Sequence, residues 1–288
     1  ESDGLPGLII DRYGKYLVFQ FLAAGAEAWR SDIVEIAMEI TGCAGAYERS
    51  DVEVRQLEGL LPRTGVLAGD FPEGLVKIIE NGLPFMVDIR QGQKTGFYID
   101  QRRNRQRIRE LAGGREVLNC FCYSGGFSIY AWAGRAANVL SIDSSGEAIA
   151  LGKLNARLNN FNDSDDKWLE GDVFSLLRAL RDQARTFDMV ILDPPKFGRG
   201  PKGEVWEFYK LLPNLLSSCH QILAPKPCFV IITAYAVKAS ALTLQYALSD
   251  MVSGIAGTME AGEVTLKEKD RSRFLSMAIF ARWSSLTL

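Results

Sequence analysis

The sequence predicts an α/β protein in which a doubly wound parallel sheet follows a smaller N-terminal α+β region, and three observations predict it. From residue 116 onward, short apolar runs alternate with amphipathic helical segments, which is the pattern of β-α units in a parallel sheet. Before residue 90, strand patterns alternate with two helical patterns, one long and one short. The last two apolar runs have no helical segment between them, so we expect one of them to enter the sheet antiparallel. We therefore divide the chain into residues 1–90 and 91–288.

The N-terminal elements are predicted from turn and cap residues. Asn81-Gly82 between two apolar runs is the strongest short-range hairpin signal, Gly14 marks a second hairpin turn, and Gly42 can end the helix. In chain order we expect strands at 8–12 and 16–21, a helix at 29–40, a strand at 46–49, a short helix at 54–60, and strands at 76–80 and 83–88. This region carries no catalytic constellation. We expect it to handle substrate, and a covering subdomain is the alternative.

The remaining elements are predicted from apolar spacing. Asp100 can cap a helix at 101–111 by accepting a hydrogen bond from a backbone N–H of its first turn. Buried strands read as continuous apolar runs, and helical spacing marks the segments between them. We expect strands at 116–121, 139–143, 168–173, 187–192, 229–233, 263–267 and 274–280, and helices from residue 126 and at 146–158, 174–184 and 208–223.

The Gly125-Gly126 turn after the first of these strands organises the larger region. Without Cβ atoms, its backbone can approach a ligand closely, although a glycine turn after a buried strand is the alternative. A dinucleotide site needs G-x-G-x-x-G to receive a pyrophosphate, and this turn lacks that spacing. The pattern Asn119-x-Phe121-x-x-x-Gly125-Gly126 instead resembles the first motif of class I S-adenosylmethionine-dependent methyltransferases, whose cofactor has no phosphate.

Three acids follow three predicted strands, namely Asp143, Asp172 and Asp193. In doubly wound sheets, ligands lie beyond the carboxyl ends of the strands. Asp143 would accept hydrogen bonds from the ribose hydroxyls of the cofactor, and Asp172 one from its adenine amino group, with Val173 packing nearby. A lone acid at a strand end is more often a cap, but three together favour a cofactor site.

Asp193-Pro194-Pro195-Lys196-Phe197 is the sharpest local signal, and we assign the catalytic role to these five residues. The two prolines have no backbone donors and fix φ, so the loop is stiff and offers only carbonyl acceptors. Such a loop suits methyl transfer, which needs a nucleophile held in line with the methyl group. Asp193 would accept from an amino group of the substrate or cofactor, and Phe197 would stack on a base. A structural Pro-Pro turn is the alternative.

These motifs, together with residues 93–102, resemble the bacterial 23S rRNA methyltransferases of the RlmI type. The resemblance extends through residues 5–14 and so covers nearly the whole chain. It implies a Rossmann-like class I methyltransferase fold, S-adenosylmethionine as the cofactor, and RNA, in the form of 23S rRNA, as the partner. By this resemblance the cofactor pocket also includes Lys94, Thr95, Phe97, Tyr98, Gln101, Asn119, Phe121, Tyr123, Ser124 and Ser144.

The sequence departs from this family at one position. Its 5-methylcytosine members attack the base with a cysteine just after the fifth strand, but residues 233–240 hold none and Ala236 stands near that position. Carbon 5 of cytosine is a poor nucleophile until a thiolate adds to the ring, so we expect direct transfer to a nitrogen or oxygen. We interpret Cys120 and Cys122 as small buried hydrophobes. Residues 197–206 resemble a less characterised branch of related methyltransferases.

The predicted RNA contacts are Arg102, Arg103, Arg199 and Lys202. Five arginines lie between residues 102 and 109, and arginines position nucleic-acid backbones without reading sequence. A solvated helix face is the alternative. Residues 198–203 are expected to form a cationic, mobile loop. The net charge of −2 gives no global nucleic-acid signal, so any such surface must be local.

Composition restricts the remaining function classes. No apolar run approaches the roughly 18 residues of a membrane span, and no signal pattern opens the chain, so we expect a cytoplasmic protein without a membrane partner. Five cysteines without paired spacing and one histidine indicate reduced thiols and no metal site. Because the chain begins with Glu1, we expect a missing upstream segment, the PUA domain of the resembled family. A homodimer is compatible with the sequence. The alternatives in function are methylation of a small molecule or protein, and RNA binding without turnover.

Overall fold

The computed structural model describes residues 4–199, 203–269 and 272–286. The chain divides into two compact units. The first comprises Glu1–Ile99 with Lys267–Leu275, and the second comprises Asp100–Leu266 with Ser276–Leu288. The sequence-based division into residues 1–90 and 91–288 differs from these units and stays a prediction.

The first unit is built on a four-stranded mixed sheet. Its strands, in sheet order, are β1 (Leu8–Tyr13), β2 (Tyr16–Phe21), β3 (Gly45–Ser50) and β4 (Arg63–Gly69). Strands β2 and β3 are parallel, whereas the other neighbouring pairs are antiparallel. Helices α1 (Ala24–Ala28) and α2 (Arg30–Thr41) connect β2 to β3, a 3-10 helix spans Glu53–Glu58, and β5 (Val76–Glu80) pairs with β6 (Leu83–Val87).

The sequence patterns locate most of this unit. Both predicted hairpins are confirmed, and α2 ends at Gly42, which adopts the left-handed φ of 60° expected of a C-terminal cap. The predicted short helix at 54–60 is a 3-10 helix. Alternate residues of β2, Leu17, Phe19 and Phe21, are buried in one apolar cluster, and Val18 and Gln20 between them are buried as well. Because successive side chains point to opposite faces, both faces of β2 are covered.

The second unit carries a seven-stranded sheet with helices on both faces. Its helices are α3 (Arg102–Leu111), α4 (Gly126–Ala133), α5 (Gly146–Leu158), α6 (Val173–Asp182), α7 (Phe208–His220) and α8 (Ala241–Met251). Its strands are β7 (Glu116–Cys120), β8 (Asn138–Asp143), β9 (Trp168–Glu170), β10 (Met189–Leu192), β13 (Phe229–Ala234), β14 (Thr258–Lys267) and β15 (Phe274–Ser284), and a separate small hairpin joins β11 (Phe197–Arg199) to β12 (Val205–Glu207).

The strand order of this sheet is β14-β15-β13-β10-β7-β8-β9. Strands β13, β10, β7, β8 and β9 are parallel, and β15 joins β13 antiparallel. The predicted doubly wound α/β fold and its antiparallel last strand are therefore confirmed. From β7 the chain builds outward through β8 and β9, then returns to place β10 on the other side of β7. The topological switch point consequently lies between β7 and β10.

Both faces of the parallel strands are buried. Leu118 and Val190 belong to an apolar cluster on one face, whereas Val117, Met189 and Ile191 belong to a second cluster on the other. Because successive side chains of a strand point to opposite faces, a strand covered on both sides reads as a continuous apolar run. This is why the β-α repeats were visible in the sequence.

The start of α3 differs from the prediction. The residue that precedes the helix is Gln101, whose side chain makes no capping hydrogen bond. Asp100 lies one residue earlier, buried in a 3-10 turn at Ile99–Gln101. The chain therefore enters α3 through this turn, and a capping role for Asp100 stays a prediction.

Candidate active site

The carboxyl ends of β7 and β10 lie side by side at the switch point. The backbone N–H of Asp193, just after β10, lies 3.5 Å from the carbonyl oxygen of Cys120 at the end of β7. Ligands of open α/β sheets bind at this place, in the crevice beyond the strand ends. The structure thus brings the glycine turn and the Asp193–Phe197 segment, called the acceptor loop below, to one edge of the sheet.

The turn after β7 is unusually tight. Phe121, Tyr123 and Gly125 all have positive φ values, 60°, 46° and 76°. Two backbone contacts fix the turn to the end of β8: Cys122 N–H donates to Ile142 O at 3.0 Å, and Tyr123 N–H donates to Asp143 Oδ2 at 2.8 Å. Non-glycine residues persist in the left-handed region only when their surroundings determine it, and these contacts supply that constraint.

Gly125 has a packing reason that sequence reasoning missed. A Cβ on Gly125 would lie 2.5 Å from Cη2 of Trp168, and one on Gly152 would lie 2.3 Å from Cζ3 of the same ring. The Trp168 side chain, 3% exposed, therefore fills the space that both glycines leave open. Close approach of a ligand to Gly125 and Gly126 stays a prediction.

Asp143 is a partly buried carboxylate with two backbone donors. Its Oδ2 accepts from Tyr123 N–H, and its Oδ1 accepts from Ser145 N–H at 3.0 Å. Burial raises the pKa of Asp143 above its ordinary value, while the amides of Ser145, Tyr123 and Ser144 act in the opposite direction. A carboxylate oxygen can accept more than one hydrogen bond, so both oxygens retain capacity for ribose hydroxyls. Ser144 is exposed beside it.

Asp172 caps helix α6. Its Oδ2 accepts from Ser175 N–H at 2.9 Å, in the geometry of an N-cap. Val173, the first residue of the helix, is buried in the apolar core. The structure therefore supports the alternative role of Asp172 as a cap, and its contact with an adenine amino group stays a prediction.

The acceptor loop is tethered from three sides. The hydroxyl of Thr233, at the end of β13, donates to Asp193 Oδ1. Trp206 Nε1–H donates to the carbonyl of Pro195, and Phe208 N–H donates to the carbonyl of Lys196 at 3.1 Å. These three hydrogen bonds add to the stiffness predicted from the two prolines. No local sequence pattern predicts them.

Thr233 and Trp206 are the residues that sequence reasoning left without a role. Thr233 was visible only as a strand end, and its signal is one polar residue closing the apolar run of β13. Trp206 is 8% exposed and lies against the Phe121 ring, with 5.2 Å between centroids. No sequence pattern near Trp206 connects it with the acceptor loop.

Several predicted cofactor residues form the buried support behind the turn. Asn119 is fully buried, and its Nδ2 donates to Ser128 Oγ at 2.8 Å, which in turn lies 2.8 Å from Ser141 Oγ. The carbonyl of the buried Ser124 accepts from Asn155 Nδ2 at 3.1 Å. These contacts favour a supporting role for Asn119 and Ser124, and direct contact with a cofactor stays a prediction.

Gln101 is fully buried at the start of α3, where its Oε1 accepts from Asn104 Nδ2 at 2.7 Å. Its Nε2 makes no hydrogen bond with the residues that the structure describes. A buried amide donor without a partner is uncommon, and it is consistent with the predicted contact to a ligand.

The other predicted pocket residues, Lys94 to Tyr98, belong to the first compact unit. Thr95 is buried, and its hydroxyl lies 2.7 Å from Tyr13 Oη and donates to Asp11 Oδ2. Lys94 Nζ lies 4.8 Å from the ring centroid of Tyr98. Phe97 is buried against Phe85, with 5.2 Å between ring centroids. All remaining predicted cofactor residues belong to the second unit.

All five cysteines are free and buried. A hydrogen bond with Cys219, together with burial, raises the pKa of Cys120 well above its ordinary value. Burial and the charge of Asp143 raise the pKa of Cys122 well above its ordinary value, and burial raises that of Cys228 to about 11. Because a thiolate is the nucleophilic form, none of these three thiols is prepared for covalent attack.

The residues predicted to contact RNA lie in different surroundings. Arg102 and Arg103 are exposed in the first turn of α3, and Arg199 is exposed on β11, so residue 199 is part of a hairpin strand and not of a loop. Arg105 is buried beside the ring of Tyr130, so the five arginines between residues 102 and 109 do not all face solvent. Lys202, with the rest of the 200–202 segment, lies outside the described residues.

Among the residues that the structure describes, no group of three or more His, Cys, Asp or Glu side chains could hold a metal ion. Within the same residues, every helix is too short or too polar to cross a membrane.

A family model for S-adenosylmethionine-dependent methyltransferases matches residues 64–242. The chain belongs to this family. The methyltransferase family expected from the motifs is therefore confirmed, and S-adenosylmethionine is the family's cofactor.

Two curated relatives share much of the sequence. The chain is 50% identical over 198 residues to the ribosomal RNA large subunit methyltransferase I of Shewanella frigidimarina. The aligned segment covers 68% of this chain and 50% of that protein. It is 46% identical over 226 residues to the protein of the same name from Aeromonas hydrophila, and this alignment covers 78% of this chain and 57% of that protein. The chain thus spans about half the length of these relatives.

A solved structure has the same fold over nearly its whole length. The S-adenosylmethionine-dependent methyltransferase from Agrobacterium tumefaciens superposes with a TM-score of 0.79 at 25% identity. The match covers 97% of this chain and 88% of that one.

Proposed function

We propose that this protein transfers a methyl group from S-adenosylmethionine to RNA, with large-subunit rRNA as the substrate. The observation that carries the proposal is the placement of Asp143 at the end of β8 and of the tethered acceptor loop at the end of β10, on the two sides of β7, within a methyltransferase family. The names of relatives at 46% and 50% identity support rRNA as the substrate. With such a substrate, we expect the protein to act in the cytoplasm.

The residues present fit the cofactor. S-adenosylmethionine supplies a methyl group on a positively charged sulfur and carries ribose hydroxyls and an adenine amino group, all hydrogen-bond donors. Asp143 and Asp172 offer carboxylate acceptors at adjacent strand ends, and a cofactor without phosphates needs no phosphate cradle. Asp143 would hold the ribose, Asp172 the adenine amino group, and Gln101 Nε2 would supply a donor.

The acceptor atom is a nitrogen or oxygen, taken without a covalent enzyme intermediate. The buried Cys120, Cys122 and Cys228 retain their protons, and Ala236 stands near the position where 5-methylcytosine members carry their nucleophile. Without a thiolate, carbon 5 of cytosine stays unactivated. Asp193, oriented by Thr233, would hold the acceptor group in line with the methyl group.

Exposed arginines of the second unit support an RNA partner. Arg102, Arg103 and Arg199 could neutralise phosphates without reading sequence. Binding should then weaken steeply with salt, and replacing Arg102 and Arg103 by glutamine should reduce the slope of log K against log salt by roughly 1.4 for a single strand. A slope that does not change would exclude these two side chains as phosphate contacts.

The decisive experiment supplies the full-length protein with labelled S-adenosylmethionine and unmethylated large-subunit rRNA. Label should appear in RNA, and nucleoside mass spectrometry should identify the modified atom. Asp193→Ala, purified in folded form, is the control that should lose turnover while retaining the cofactor. Label found only in protein or in a small molecule would favour the alternative substrates. Cofactor binding without turnover on any substrate would favour a binding module.

A further inference from the structure

The side chain of Trp206, on β12, contacts three separate segments of the site. Its Nε1–H donates a hydrogen bond to the carbonyl of Pro195 in the acceptor loop. Between ring centroids, it lies 5.2 Å from Phe121 in the turn after β7 and 6.2 Å from Phe174 in the first turn of α6. The three partners therefore belong to the segments that follow β10, β7 and β9.

These segments carry different parts of the predicted site. The turn of Phe121 and the start of α6, where Phe174 follows Asp172 by two positions, hold residues predicted to bind the cofactor. The acceptor loop holds Asp193, which would orient the group that receives the methyl. Strands β9 and β10 are separated in the sheet by β7 and β8, so strand pairing does not join the segments that follow them. A side chain that touches both, as Trp206 does, therefore contributes to their relative position.

The indole of Trp206 is held in one orientation. It is 8% exposed and belongs to the apolar cluster against which Phe121 and Phe174 also pack. Its backbone lies opposite Gly198 in the β11–β12 hairpin. An indole N–H can only donate, and a buried donor needs an acceptor. The carbonyl of Pro195 supplies it, so the apolar core determines where this part of the acceptor loop lies.

This hydrogen bond gives the loop a second attachment beside its active carboxylate. On the other side, the hydroxyl of Thr233 donates to Asp193 Oδ1. Pro194 and Pro195 follow Asp193 directly, and each proline fixes its own φ. A shift of the Pro195 carbonyl is therefore passed to the Asp193 carboxylate with little absorbed by the backbone. Group transfer is sensitive to such shifts, because a misplacement of about 1 Å can cost about 100-fold in rate.

We propose that Trp206 is a positioning residue for methyl transfer, which sets the acceptor loop against the segments that hold the cofactor. The inference rests on the proposed function, because the distance it controls is the one between the acceptor group and the methyl group. A tryptophan that merely filled the core would be replaceable by phenylalanine, which keeps an apolar ring. A positioning tryptophan is not replaceable in this way, because phenylalanine leaves the Pro195 carbonyl without its donor.

The test compares Trp206→Phe with the control Trp132→Phe. Trp132, on α4 of the same unit, packs against the second apolar cluster, and its Nε1–H makes no hydrogen bond with the residues that the structure describes. Both changes thus remove an indole N–H and keep an aromatic ring. The full-length protein is assayed with labelled S-adenosylmethionine and unmethylated large-subunit rRNA. Calorimetry counts the cofactor-binding sites, and kcat is expressed per site, so that unfolded protein does not lower it.

Trp206→Phe should lower kcat about 5- to 150-fold, the equivalent of roughly 1–3 kcal/mol for a buried acceptor without its donor. The KM and Kd for the cofactor should change less than about threefold, and Trp132→Phe should behave like the parent. Phe174→Leu is a second variant, which keeps the indole N–H and loosens the ring from the side of α6. It should lower kcat about 2- to 12-fold, the equivalent of roughly 0.5–1.5 kcal/mol for an aromatic pair.

A kcat of Trp206→Phe within twofold of the parent, or an equal loss in Trp132→Phe, would overturn the positioning role. A loss confined to cofactor affinity would also overturn it and make Trp206 part of the cofactor pocket. If Trp206→Phe does not fold, Phe174→Leu decides by the same split between kcat and cofactor affinity. When the parent methylates rRNA, these outcomes refute this inference alone, whereas a parent without turnover on RNA refutes the proposed function.

Discussion

Replacing Gly125 with alanine separates two explanations of the glycine turn. If the glycine exists so that a ligand can approach the backbone, the substitution should weaken cofactor binding and leave the fold almost unchanged. If it exists because the Trp168 ring occupies the space, the substitution should destabilise the second unit itself. The structure favours the second explanation, since the new Cβ would lie 2.5 Å from Cη2 and 2.9 Å from Cζ3 of that ring.

The expected destabilisation is the sum of two effects. Alanine at the φ of 76° found for Gly125 adds the strain of a left-handed residue, about 1–2 kcal/mol. Overpacking against the buried Trp168 ring adds about 1–3 kcal/mol. Gly125→Ala should therefore lower the free energy of unfolding by about 2–5 kcal/mol.

Gly114→Ala is the matched control in the same unit. Gly114 also has a left-handed φ, 69°, but no atom lies within 4 Å of the Cβ position. It should lose only the strain, about 1–2 kcal/mol. Urea denaturation followed by circular dichroism measures both variants, and calorimetry measures their affinity for S-adenosylmethionine.

A double-mutant cycle with Trp168→Leu isolates the contact. Removing the ring should recover the overpacking part of the loss at Gly125, which would appear as a coupling free energy of about 1–3 kcal/mol. Gly125→Ala that unfolds like Gly114→Ala but loses cofactor affinity would refute the packing explanation and restore the ligand explanation.

Three further predictions concern the chemistry of the site. Asp143→Ala should weaken S-adenosylmethionine binding by about 1–3 kcal/mol in calorimetry. Because burial raises the pKa of Asp143, the affinity of the parent for the cofactor should begin to fall on acidification at a higher pH than an exposed aspartate would give. The Asp143→Ala variant should lack this pH dependence. Thr233→Val should lower kcat about 5- to 150-fold through the loss of a roughly 1–3 kcal/mol hydrogen bond to Asp193, with the KM for the cofactor unchanged and Thr233→Ser restoring turnover. Replacing Cys120, Cys122 and the other cysteines with serine or alanine should preserve methyl transfer in any variant that folds. A covalent complex between the parent and 5-fluorocytosine RNA that is lost in the Cys120 or Cys122 variant would instead support a 5-methylcytosine mechanism.

The fold was predictable where one local signal determines an element. The parallel strands are buried on both faces and read as apolar runs, and Asn81-Gly82 and Gly42 mark a hairpin and a helix end. Strand β4 was missed because its sequence, Arg63–Gly69, includes two glycines and no clear alternation. The β11–β12 hairpin was missed because each strand has only three residues, too few to show a period.

The sequence predicted which residues lie at the strand ends of the site, but it did not predict the hydrogen bonds that these residues make. Strand-end acids can be located from the sequence because parallel strands bring their carboxyl ends to one edge. The partner that each acid takes depends on tertiary packing. Asp172 proved to cap α6, and Asp193 accepts from Thr233, forty positions away in the chain. Arg105 was grouped with the exposed arginines although it lies on the same face of α3 as Ile108, three positions further along, whose apolar side chain marks the buried face.

The hydrogen bonds of the acceptor loop restrict which substrate group it can receive. Pro194 and Pro195 have no N–H to donate, and the carbonyls of Pro195 and Lys196 are occupied by Trp206 and Phe208. The Asp193 carboxylate and the Pro194 carbonyl are acceptors, whereas the exposed Lys196 side chain is a donor. An acceptor beside the reacting atom favours a substrate group that carries hydrogen, such as an amino nitrogen. We therefore expect nitrogen methylation, in agreement with the absence of a cysteine near Ala236.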